Sequence, residues 1–138
     1  MLGITQAQEY KAIFDCSSSN SHYIKTRMWL VNKTIDMIEE QGDTSDIVLT
    51  LHGGCVTMVS KDYDLIAADE DIHNIQKAQE YLIALSKRKK VKIITCAMSL
   101  NSNAIDKQDV LPFVTISKNS FIETIKYQNS GYALMTFK

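Results

Sequence analysis

Residues Asp46-Ile47-Val48-Leu49-Thr50-Leu51-His52 form a short, nearly continuous apolar run. A strand with one wet face alternates apolar and polar side chains, so consecutive apolar positions demand cover on both faces. That is the pattern of a central strand in a parallel sheet. The segments around it repeat a strand-then-helix order. Tyr10 to Cys16 reads as a first strand, ended by Ser17-Ser18-Ser19-Asn20-Ser21. Ser21 is placed as the N-cap of a long helix that Gly42 closes at its C′ position. Ile24, Met28, Val31, Ile35 and Ile38 recur along it at steps of four and three, which makes one apolar face.

The segment from Gly53 to Ala68 is irregular, a short helix followed by a loop. Asp69-Glu70-Asp71 supplies cap and dipole charge to a second long helix, with Ile75, Ala78, Leu82 and Leu85 as its buried face and Lys87-Arg88-Lys89-Lys90 as a solvated end. Val91 to Cys96 is a third strand. Ala104 to Val110 reads as a short helix, Phe113 to Ile116 as a strand, Ser120 to Asn129 as a helix and Tyr132 to Phe137 as the last strand. Alternating strands and helices imply an α/β fold with a mainly parallel sheet of about five strands.

Length and composition bound the rest. The 138 residues suit a single domain, 1–138, and 45% hydrophobic content fills a core. Lys+Arg 15 against Asp+Glu 16 leaves a net charge of -1, which excludes a broad basic footprint for nucleic acid. No apolar run reaches the roughly 20 residues of a membrane-spanning helix. The polar opening, Met1 to Tyr10, carries no signal-peptide apolar segment. Three cysteines at wide spacing argue against a disulfide framework and predict free thiols in a cytoplasmic chain. Trp29, Leu30 and Met37 fall off the main stripe of the first helix, which favours a homo-oligomer.

In open α/β sheets, chemistry gathers at the carboxyl ends of the strands. Cys16, His52, Cys55 and Cys96 all fall there in this reading. Cys96 leaves a strand and opens a helical turn, where backbone amides and the positive end of a helix dipole favour a thiolate. Ser99, three residues on, could donate to the sulfur. The alternative is a packed thiol, since free cysteine is among the most buried residue types. His52 could polarise a thiolate or exchange its proton, and Gly53 and Gly54 could let amides approach a ligand, or serve only a turn. His52-x-x-Cys55 has no accompanying Cys-x-x-Cys, so no metal is expected. The loop from Cys16 to Ser21 has no glycine and therefore no Gly-rich phosphate fingerprint.

Leu49-Thr50-Leu51-His52-Gly53, then Val91 to Ser99 with Cys96-Ala97-Met98-Ser99, then Gln128-Asn129-Ser130-Gly131-Tyr132-Ala133 together resemble small DsrE/DsrF-like proteins in order and spacing. The resemblance implies a three-layer α/β/α domain, ring-like oligomers and intracellular sulfur chemistry, with the cysteine matching Cys96 able to carry persulfide sulfur to a partner protein. It departs where Lys89-Lys90 replaces a glycine before the third strand, and where Asn119-Ser120 replaces one before the last helix. Asn can still take the left-handed conformation there. Asn119 and Ser120 border the site and join Gly53, Gly54 and Ser99 as candidate ligand-binding residues; Cys96 and His52 are the candidate catalytic pair. Two functions are open: a sulfur relay with a donor or acceptor protein as partner and no cofactor, or a non-catalytic assembly module with a small-ligand pocket at the strand ends. Flavin or nucleotide binding at the same edge is a third.

Overall fold

The computed structural model describes residues 6–138. The first five positions, part of the stretch read as lacking a leader-type segment, lie outside the described residues. Strands β1 (Glu9–Cys16), β2 (Thr44–Leu51), β3 (Val91–Cys96), β4 (Thr115–Ser117) and β5 (Ala133–Phe137) form one sheet in the order β4-β3-β2-β1-β5. All four pairings are parallel, so the expected sheet is parallel throughout.

Helices α1 (Ser21–Glu40) and α3 (Ile72–Ser86) cover one face; α5 (Ser120–Asn129) covers the other. The short helices α2 (Tyr63–Ile66) and α4 (Ala97–Ser102) complete the set. The apolar run of β2 is explained by this layering. Ile47, Leu49 and Leu51 join the larger core with Ile24, Met28, Val31 and Ile35 of α1 and Ile75, Ala78, Leu82 and Leu85 of α3. Val48 points the other way, into a small cluster with Ile13 and Ile94 under Tyr127 and Tyr132. Both parities are covered from Ile47 to Leu51, and the Val48 parity turns polar at Thr50 near the strand's carboxyl end.

Several boundaries differ from expectation for local reasons. Asn20, not Ser21, caps α1: its side chain accepts from the Tyr23 amide at 2.9 Å. Ser21 Oγ instead donates to Asp71 at 2.7 Å, tying the start of α1 to that of α3. Gly42 closes α1 with φ +83, as its position requires. Residues Gly53–Val59 form a 3₁₀ helix, and the helix expected from Ala104 shrinks to a 3₁₀ turn, Lys107–Asp109, because Ala104 itself is left-handed (φ 54). Arg88 is not merely solvated. Its guanidinium bonds Asn32 and Asp36 and fastens α3 to α1. Lys90 keeps the left-handed backbone (φ 55) that a glycine would adopt freely, with its ammonium 2.7 Å from Glu9. Asn119 is extended (φ -153), not left-handed, and caps α5 by accepting from the Phe121 amide at 3.0 Å. Among the described residues no helix is long and apolar enough to cross a membrane.

Candidate functional site

The small cluster Ile13, Val48 and Ile94 fixes what stands at the carboxyl ends of three strands. Side chains two residues apart share a face of the sheet. Two residues beyond each member of that cluster come Asp15, Thr50 and Cys96. The register pairs Asp15 with Thr50 on β1 and β2, and Cys96 with Ser117 on β3 and β4. A polar row therefore sits directly above an apolar one, on the α5 face. His52, two beyond Thr50, follows the same parity as the chain leaves β2.

These side chains are joined. Asp15 Oδ1 accepts from Thr50 Oγ1 at 2.7 Å, and His52 Nε2 lies 2.9 Å from Oδ1 and 3.0 Å from Oδ2. Burial would push the Asp15 carboxyl up, but bonds from His52 and Thr50 and the charge of His52 hold it below its ordinary range. The bond to Asp15 raises His52 above its ordinary value against the opposing effect of burial, and the charges of Asp15 and Cys96 act in the same upward sense. The Phe121 ring meets the imidazole edge-on at 6.0 Å.

Cys96 is the last residue of β3 and the N-cap of α4, and its thiol closes no capping bond. The groups around the sulfur favour its ionised form instead. Burial alone would raise the thiol. The Ser120 and Ser99 amides, the Ser120 hydroxyl and the Met98 amide outweigh burial and bring it down to about 7. The sulfur thus faces the first residues of two helices, α4 and α5, with an imidazole nearby. Such a thiol is substantially thiolate at neutral pH, although the residue itself is buried.

The remaining candidates have other duties. Ser99 Oγ accepts from the Gly53 amide at 3.0 Å, so that amide is committed inside the protein. Gly53 is left-handed (φ +54), and a Cβ there would stand 2.9 Å from the Ser17 carbonyl oxygen. At Gly54 a Cβ would come within 2.5 Å of Ser19 Cα. Both glycines serve close passage of the Ser17–Ser19 backbone. Asn103, which donates to Ser99 O at 2.8 Å and Gly53 O at 3.4 Å, ties α4 to this turn and was not singled out from sequence.

The expectation of three free thiols at one edge is corrected. Cys16 and Cys55 form a disulfide, and Cys96 is the free cysteine. The reason is strand parity: Cys16 follows Asp15 and so points to the opposite face, into the larger core, where the 3₁₀ turn after β2 delivers Cys55. Their Cα atoms are 6.0 Å apart despite 39 residues of separation. Among the described residues, no three His, Cys, Asp or Glu side chains converge in a way that could hold a metal ion.

The chain is a small α/β protein with an all-parallel five-stranded sheet and a cysteine at its carboxyl edge whose neighbours favour the thiolate. The chain belongs to the DsrE/DsrF-like family, whose model matches residues 11–137. An uncharacterized protein of Aquifex aeolicus (strain VF5) is 32% identical over 131 residues, which is 95% of this chain. The chain spans 57% of that protein's length. Two solved structures share the fold. Protein of unknown function MTH1491 from Methanobacterium thermoautotrophicum superposes with a TM-score of 0.69 at 13% identity, covering 95% of this chain and 99% of its own. The ychN protein from E. coli gives 0.60 at 19% identity, covering 96% and 100%.

Proposed function

We propose that this protein is an intracellular sulfur-relay protein that carries sulfane sulfur on Cys96. The observation that carries the reading is the convergence of two helix starts and a serine hydroxyl on one free cysteine at the carboxyl edge of the sheet. In the loading step the Cys96 thiolate attacks the outer sulfur of a persulfide donor, R–S–SH. A sulfur–sulfur bond forms at Cys96 as the one in the donor breaks. The donor leaves as R–S⁻, and Cys96 becomes Cys–S–SH. In the unloading step an acceptor thiolate attacks that outer sulfur and Cys96 departs as thiolate. No external oxidant or reductant enters either step.

The donor or acceptor is a partner protein in this reading, and the chain works as a homo-oligomer. Exposed Met98, Phe121, Ile122 and Ile125 around the α4 and α5 starts favour docking of another polypeptide beside Cys96. Incubation with polysulfide followed by intact-mass measurement tests the relay. Wild type is expected to gain one or more sulfur atoms and Cys96→Ser none. A wild type without added sulfur, or a Cys96→Ser variant that gains as much, overturns it and leaves the assembly-module reading.

A further inference from the structure

Asp15 is adjacent to a disulfide cysteine and has no part in the transfer as written, yet it holds His52, which leaves β2 next to the end of β3 where Leu51 pairs with Thr95 and Cys96 follows. We infer that Asp15, braced by Thr50, is a positioning residue that fixes His52 as the proton shuttle for sulfur transfer at Cys96. This rests on the relay reading and adds to it a residue and a role.

The geometry carries the inference. Both Asp15 oxygens lie within 3.0 Å of His52 Nε2, and one also accepts from Thr50. A carboxylate accepts only, so Nε2 must carry a proton, and Nδ1 is left as the ring nitrogen free to exchange one. The shuttle then balances. Cys–S⁻, imidazolium and R–S–SH go to Cys–S–S⁻, imidazolium and R–SH. His52 gives its Nδ1 proton to the departing donor sulfur and takes one back from the new persulfide, which is the stronger acid. One proton crosses from the outer to the leaving sulfur, and the sulfur–sulfur bond is exchanged.

The ionisable groups acting on the imidazole are Asp15 from β1 and Cys96 from β3. From α5, the nearby carboxylate Glu123 faces Ser117 Oγ at 3.5 Å, while α4 contributes only neutral residues.

Loading measured against pH has a lower limb set by Cys96 ionisation and an upper limb set by loss of the His52 proton. Asp15→Asn preserves shape and removes charge. It is expected to move the upper limb to lower pH and to slow loading by roughly tenfold or more. Asp15→Glu, which retains a carboxylate, returns the limb toward its wild-type position. An Asp15→Asn protein with the wild-type limb and rate overturns the inference. The imidazole resonances of wild type give a check that needs no variant: His52 must titrate above 6.5, and a midpoint at or below that value overturns the assignment. Absence of sulfur uptake by wild type would sink the relay itself, while the His52 titration would still decide whether Asp15 holds the ring.

Discussion

Cys96 shows how one side chain acquires chemistry from its neighbours. Burial opposes ionisation, and four donors drawn from α4 and α5 reverse that effect. Because the thiol is lowered to about 7, reactivity should be present above that pH and fall away as pH drops through it. The rate of iodoacetamide alkylation against pH measures this directly, and a midpoint at the ordinary cysteine value would contradict it. Ser120→Ala removes one hydroxyl and leaves the amide. It should move the midpoint up by about one pH unit or more, the worth of a single hydrogen bond to a charged group. The sequence alone places Cys96 at a strand end and Ser99 in the turn after it, but the structure gives the contact with the sulfur to the Ser99 amide, while the Ser99 hydroxyl accepts from Gly53. Asp15 was not legible in sequence, since an acidic residue near a strand end has no meaning until the register sets it beside Thr50.

At the level of elements, the turn after β2 is the piece on which the site depends. It presents His52, passes Gly53 and Gly54 under the Ser17–Ser19 backbone, and ends in Cys55. Gly54→Ala must displace that backbone and is expected to cost about 2 kcal/mol or more, seen as a lower midpoint in guanidinium unfolding. The disulfide fastens the same turn to β1. Closing a loop of 39 residues corresponds to about 4 kcal/mol in the chain-entropy account. Reduction should therefore lower the unfolding midpoint clearly, and denatured, unreduced protein should titrate a single thiol with Ellman's reagent. Three titrating thiols would remove the disulfide. Long helices and their buried faces were readable from periodicity, whereas this turn was not, because its conformation answers to the loop packed against it.

On the scale of the whole molecule, cover is uneven. Two long helices seal one face, while α5 shields only part of the other and keeps Phe121, Ile122 and Ile125 more than half exposed. Trp29 and Met37 on α1 are exposed as well, as their position off the apolar stripe implied. If the proposed homo-oligomer forms through the exposed side of α1, Trp29→Glu should shift sedimentation equilibrium toward the monomer, whereas a wild type that is already monomeric at micromolar concentration would defeat it. By itself the sequence determined the architecture: consecutive apolar residues in β2 admit no wet face, and the helical stripes on either side of it in the chain supply the cover. Only the tertiary structure decided which strand-end residues meet. Strand parity sends Asp15 and Cys96 to one face and Cys16 to the other, and parallel register aligns residues far apart in the chain. Both are relations between strands, so neither is present in any single stretch of sequence.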